Sequence, residues 1–149
     1  MDEPFLPPEQ PAGPSPVKRT SLLTVLCILT FIGSGLNFIS SLFIGAFFEQ
    51  FIPVAQELGE RFKLPGIEMI TEGKPGFFFF TALLYAGAAV GAALMWKLRK
   101  NGFHVYTISQ ILLVLAPMYF YHLPSPSFVD IFISGAFIVL YATNLKLMT

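Results

Sequence analysis

No charged side chain occurs between Arg19 and Glu49. A helix over residues 20–48 would be about 43 Å long at a rise of 1.5 Å per residue, against ~30 Å for the hydrocarbon core of a bilayer. A run that long and that apolar has few places to go except into lipid. It exceeds the apolar region of a cleaved signal peptide, and no A-x-A site follows it, so it reads as an uncleaved signal anchor. Residues 77–96 and 103–122 also lack Asp, Glu, Lys and Arg, and residues 128–145 hold only Asp130. The chain therefore predicts an all-α fold, a four-helix transmembrane bundle with spans at about 21–47, 77–97, 103–122 and 127–145. The last span is near the lower length limit, and its ends must sit in the interfaces.

Composition agrees. Charged residues make up 12% of the 149 residues, about half of what a soluble domain carries. Hydrophobic residues make up 54%, with 17 Phe, and the mean hydropathy is +0.68. A soluble fold of this size could not hide that much apolar surface. The net charge of zero gives no footprint for nucleic acid. A single cysteine, Cys27, excludes an internal disulfide and any Cys-x-x-Cys motif; within an apolar run it reads as a small buried hydrophobe.

Residues 1–19 form a tail crowded by Pro4, Pro7, Pro8, Pro11, Pro14 and Pro16. Proline removes backbone donors and restricts its neighbours, so this segment reads as disordered. Its P-x-x-P spacings could meet a partner domain, but they arise freely in any such tail. The other polar stretch is the loop 49–76. Within it Phe51, Val54, Ala55, Leu58 and Phe62 fall on one helical face, with Pro53 suited to the first turn. That pattern predicts a short amphipathic interfacial helix in the first extracytoplasmic loop. Leu64-Pro65-Gly66 would end it, and Gly73-Lys74-Pro75-Gly76 would turn the chain into the second span. Ser125 before Pro126 reads as the cap of the fourth helix, and Pro117 should kink the third.

Lys and Arg mark the side that membrane insertion leaves untranslocated. Lys18, Arg19, Lys97, Arg99, Lys100 and Lys146 all fall on one side of a four-span layout. Both termini are therefore expected in the cytoplasm. In size and layout the chain resembles small multi-pass bacterial membrane proteins. That resemblance sets the expectation of a bacterial inner membrane and carries no activity with it.

Few residues invite chemistry. Asp130 falls one turn into the fourth helix and is expected near the outer surface, where its ordinary role would be to complement the helix dipole. His122 flanks the same outer turn and could meet it. Two such ligands fall short of a metal site, and no cofactor is expected. Asn37 and Gln110 need hydrogen-bond partners inside lipid. Gly33, Asn37, Ser41 and Gly45 recur at every fourth position and suggest a small, polar face on the first span. Ser109 and Gln110 could face it from the third. Gly87 and Gly91 form a G-x-x-x-G on the second, a pattern that lets another helix approach closely.

No H-E-x-x-H, P-loop or dinucleotide fingerprint occurs. In span count the chain resembles small four-helix multidrug exporters, but their first helix carries a glutamate that the first span here lacks. The expectation is therefore a non-enzymatic scaffold, accessory or assembly subunit, packed in the bilayer as a homo-oligomer or against another membrane protein. The alternative is an oligomeric small transporter or channel with a polar path near Asn37 and Gln110. A third reading, an enzyme at the outer surface using His122 and Asp130, has less to recommend it.

Overall fold

The computed structural model describes residues 18–63, 67–122 and 125–149, apart from the side chains of Glu68 and Met69. The proline-rich tail up to residue 17 and the Leu64-Pro65-Gly66 terminator lie outside the described residues. Among the described residues there is no strand. The helices are α1 (Ser21–Ala46), α2 (Phe48–Phe62), the single turn α3 (Glu68–Thr71), α4 (Pro75–Trp96), α5 (Lys100–Tyr121) and α6 (Phe128–Thr143), with a 3₁₀ turn at Leu145–Leu147. Four of them are long and apolar enough to cross a membrane, which is consistent with an integral membrane protein. At mid-helix Ile39, Leu83 and Phe132 are each about two-thirds exposed, an arrangement that water penalises and lipid does not.

Local chemistry sets the helix ends. Thr20, extended, accepts from the Leu23 amide at 3.3 Å and so caps α1. Pro75 takes the first position of α4, where its missing donor costs nothing. The fourth helix begins at Phe128, where its apolar run begins, but without the expected cap. Ser127, not Ser125, precedes it, and its side chain makes no cap hydrogen bond. Helix α6 itself is about 24 Å long, and with the 3₁₀ turn that follows it the apolar segment Phe128–Leu147 reaches 20 residues. Pro117 is accommodated within α5, which stays helical through Tyr121.

After α1 the chain continues as α2. Only Phe47 separates α2 from α1. Of the expected stripe, Ala55 alone is buried; Val54, Leu58 and Phe62 are exposed. The helix stops at Lys63, which turns left-handed at φ 48°.

Packing is uneven. Helix α4 is the central element, contacting α1 and α5 along much of their lengths, whereas α6 leans on α5 and only grazes α1. The closest approach is between α4 and α5, where a Cβ on Gly91 would lie 2.7 Å from the Tyr106 amide nitrogen and 2.9 Å from the Gly102 carbonyl oxygen. Two apolar clusters hold the ends of the bundle. At the end carrying Lys18, Arg19 and Lys97 to Lys100, here the basic end, Leu23, Leu26, Cys27, Met95, Tyr106 and Tyr141 pack together. At the far end Phe77, Phe78 and Ala116 are surrounded by Phe48, Phe120 and Tyr121. Phe77 meets Tyr121 edge-on, with ring centroids 4.9 Å apart.

Candidate functional site

Between these clusters the bundle is hollow and polar. The position of α6 explains why. Its C-terminal end is fastened to the basic end. The Thr20 hydroxyl donates to Asn144 Oδ1 at 2.6 Å. The Thr149 amide donates to the Leu98 carbonyl at 2.8 Å, and the Lys100 amide to the Thr149 carbonyl at 3.0 Å. Asn144 also donates to the Leu140 carbonyl at 3.0 Å. Counting up the helices from that end, Gln110 lies about 15 Å along α5, Tyr85 about 17 Å along α4 and Asp130 about 20 Å along α6. Asp130 is therefore level with the middle of the bundle. Asp130 sits in the first turn of α6.

Asp130 lines a cleft of about 230 Å³ together with Thr30, Gly33, Ser34 and Asn37 of α1, Tyr85 of α4, Tyr106 and Gln110 of α5, and Ser134 of α6. A second cavity of about 160 Å³ shares Tyr85, Gln110, Asp130 and Ser134 and continues past Thr81 to Phe77 and Pro117. The two adjoin, so the polar space runs from mid-bundle toward the far end. Toward the basic end it stops at the packed cluster containing Tyr106 and Tyr141.

The wall is partly satisfied and partly open. Ser134 Oγ donates to Gln110 Oε1 at 3.1 Å. Thr30 Oγ1 and Tyr141 Oη share a hydrogen bond of 2.8 Å at the floor, where the Tyr141 ring stacks edge-on against Tyr106 at 4.9 Å. Ser34 returns its hydroxyl to the Thr30 carbonyl. Asn37 donates to its own helix, to the Gly33 carbonyl at 2.8 Å, and remains exposed. Asp130 is also exposed. No Lys, Arg or His lines either cavity, so Asp130 is the one formal charge on the wall.

The every-fourth-residue face of α1 divides. Gly33 and Asn37 line the cleft. Ser41 instead lies 3.5 Å from the Thr81 hydroxyl, and Gly45 is buried, its Cβ direction meeting Phe78 and Phe79 at 3.3 Å. Four residues turn a helix by about 400°, so a four-residue repeat drifts about 40° per step and leaves the cleft within two steps. The better signal is Thr30, Gly33, Ser34 and Asn37, at i, i+3, i+4 and i+7. Tyr106 with Gln110, Asp130 with Ser134 and, in the second cavity, Thr81 with Tyr85 are further i, i+4 pairs.

Ser109 does not face the first helix. It is buried, and a Cβ on Gly87 would lie 2.6 Å from its hydroxyl. Gly91 is buried as well and meets α5. His122 ends α5 in a left-handed turn at φ 52°, is exposed, and is absent from the wall that Asp130 joins. Among the described residues no group of three metal-ligating side chains comes together. Comparison with protein-family models, with curated proteins and with solved structures finds no match.

Proposed function

We propose that the protein takes up a small cation in the intramembrane cleft, as a carrier entered from the end opposite the basic cluster. One observation carries the reading: two adjoining cavities share Tyr85, Gln110, Asp130 and Ser134 and end against a packed floor. A carboxylate facing polar space at that depth is costly unless something offsets its charge. Amide, hydroxyl and carboxylate oxygens suit a hard or organic cation, and the rings of Tyr85 and Tyr106 add a favourable quadrupole. A packed floor argues against an open pore and for a site exposed to one side at a time. With both termini cytoplasmic, as the Lys and Arg distribution supports, the cleft would face outward in a bacterial inner membrane, and α2 would lie on the outer surface.

Thiol labelling tests this. In a Cys27→Ala background, Asn37→Cys should react with membrane-impermeant methanethiosulfonates applied from outside. A cationic reagent should outpace an anionic one by roughly tenfold, the effect of one nearby charge at an intermediate dielectric. Asp130→Asn should bring the two rates together. An unreactive Asn37→Cys, or equal rates with Asp130 present, would remove the proposal.

The assembly reading retains one supporting observation. A Cβ at Gly35 would meet nothing within 4 Å, and about 200° around the helix from the cleft-lining Gly33 it leaves α1 a notch that a partner helix or a second copy could fill. Co-purification of a stoichiometric partner, with the cleft protected from thiol reagents, would favour it.

A further inference from the structure

The basic end carries a second site. Lys18, Arg19 and Thr24 of the first segment, with Trp96 at the end of α4 and Lys97 and Leu98 after it, line an open pocket of about 580 Å³. Arg19 is held in place there: its guanidinium carbon lies 4.3 Å above the Trp96 ring centroid, and Nη1 donates to the Trp96 carbonyl at 3.3 Å. Stacking of this kind fixes the plane of the group and leaves its other N–H donors for a planar or tetrahedral anion. Arg99, Lys100 and Lys146 lie at the same end, and all six of these cations are exposed. Of the acids whose side chains are described, Glu49, Glu57, Glu60 and Glu72 lie in α2 and the loop before α4, at the far end, and Asp130 lies at mid-bundle, so none is at this end. Below the pocket, Thr24, Ile28 and Phe31 occupy one face of α1. Ile28 is exposed, and Phe31 lies 6.2 Å from Trp96, ring to ring.

We infer that this pocket binds the headgroup phosphate of an anionic phospholipid, with an acyl chain lying along Ile28 and Phe31. The three cations lining it sit at the end of two spanning helices, where a leaflet presents its phosphates. A stacked arginine gives bidentate geometry that freely moving lysines lack. The apolar strip beneath distinguishes a lipid from a soluble anion.

Trp96 is the only tryptophan in the chain, so it reports on its own site. The full chain is placed in phosphatidylcholine vesicles, and small mole fractions of acyl-brominated phosphatidylglycerol or acyl-brominated phosphatidylcholine are introduced. The brominated phosphatidylglycerol should quench Trp96 more strongly at equal mole fraction. Arg19→Gln and, separately, Lys97→Gln should each lower the relative affinity about fivefold, the weight of one cation near an anionic surface. Lys146→Gln removes the same charge outside the pocket and should change it less than twofold. Equal quenching by the two lipids, or equal losses in all three variants, would overturn the inference. Inorganic phosphate replacing chloride at matched ionic strength should leave the excess quenching in place; its loss would assign the pocket to a soluble anion instead. A preference seen only after Asp2→Asn, Glu3→Gln and Glu9→Gln would show that the tail occupies the pocket, and would equally overturn it.

Discussion

The crossing of α4 and α5 makes a quantitative demand. In Gly91→Ala the new Cβ would fall 2.7 Å from the Tyr106 nitrogen and 2.9 Å from both the Gly102 oxygen and the Tyr106 Cα. All three are backbone atoms, which no rotamer change can move. Carbon contacts are comfortable at about 3.5–4 Å, so the helices must part by roughly 1 Å. Overpacking of this kind costs about 1–3 kcal/mol. Against it stands the better helix propensity of alanine, about 0.8–1 kcal/mol. The net expectation is a loss of up to about 2 kcal/mol. Gly35→Ala supplies the control, since its Cβ would meet nothing within 4 Å, and it should be neutral or up to about 1 kcal/mol stabilising. Gly87→Ala should fall between them, because its one close neighbour is the Ser109 hydroxyl at 2.6 Å, which can rotate away. The propensity gain is common to both, so reversible unfolding in mixed detergent micelles should separate Gly91→Ala from Gly35→Ala by about 1–3 kcal/mol, some 5- to 150-fold in the equilibrium constant. Equal stability of those two variants would mean that the helices do not cross at Gly91.

Further outcomes follow from the hydrogen bonds. Tyr141→Phe strands the buried Thr30 hydroxyl at the floor of the cleft and should cost about 1–3 kcal/mol, whereas adding Thr30→Val should recover most of it; additive losses in that cycle would show that the two groups are not paired. Thr20→Val removes both the α1 cap and the link to Asn144; a loss of about 1 kcal/mol or more is expected in the same unfolding measurement, and no loss would deny the link. Any cation that fills the cleft should raise the melting temperature in a saturable way, reaching about 2.7 kcal/mol of stabilisation at a hundredfold excess over its dissociation constant. Asp130→Asn should abolish that shift while sparing the fold, and a shift that survives it would place the cation elsewhere.

The helices were readable from charge-free runs because lipid imposes a single strong filter, and that filter acts on composition rather than on detail. What it does not encode is depth. The level of Asp130 in the bundle is not written in its apolar run; the fastening of Asn144 and Thr149 at the other end sets where α6 sits. The division of the Gly33, Asn37, Ser41 and Gly45 face was likewise hidden, since a repeat of four looks like one stripe until helical drift is followed over three steps. Gln110 was legible as a buried amide in need of a partner, but Ser134 as that partner depends on which face α6 turns to α5. Gly102 gave no motif at all. Its close approach to Gly91 is a property of the crossing, with only one of the two glycines inside a G-x-x-x-G.

The same unevenness of packing bears on how a closed cleft could work. Separating α4 from α5 would break a backbone-to-backbone seam around Gly91 and Gly102. Moving α6 would disturb far less, because it touches α1 sparingly and α5 over a limited stretch. Yet α6 carries both Asp130 in the cleft and Tyr141 in its floor, separated by about three turns of one rigid rod. A tilt of that rod about its fastened end, at Asn144, therefore shifts the charge more than the floor, since displacement grows with distance from the pivot. Opening the floor requires more: the 2.8 Å bond between Tyr141 and Thr30 and the edge contact with Tyr106 must both give way. A cation bound at Asp130 could lower that barrier only by favouring the displaced rod over the resting one. In the proposed carrier the coupling would run through a single helix, and the Thr30–Tyr141 hydrogen bond, rather than the carboxylate, would set how seldom the floor opens.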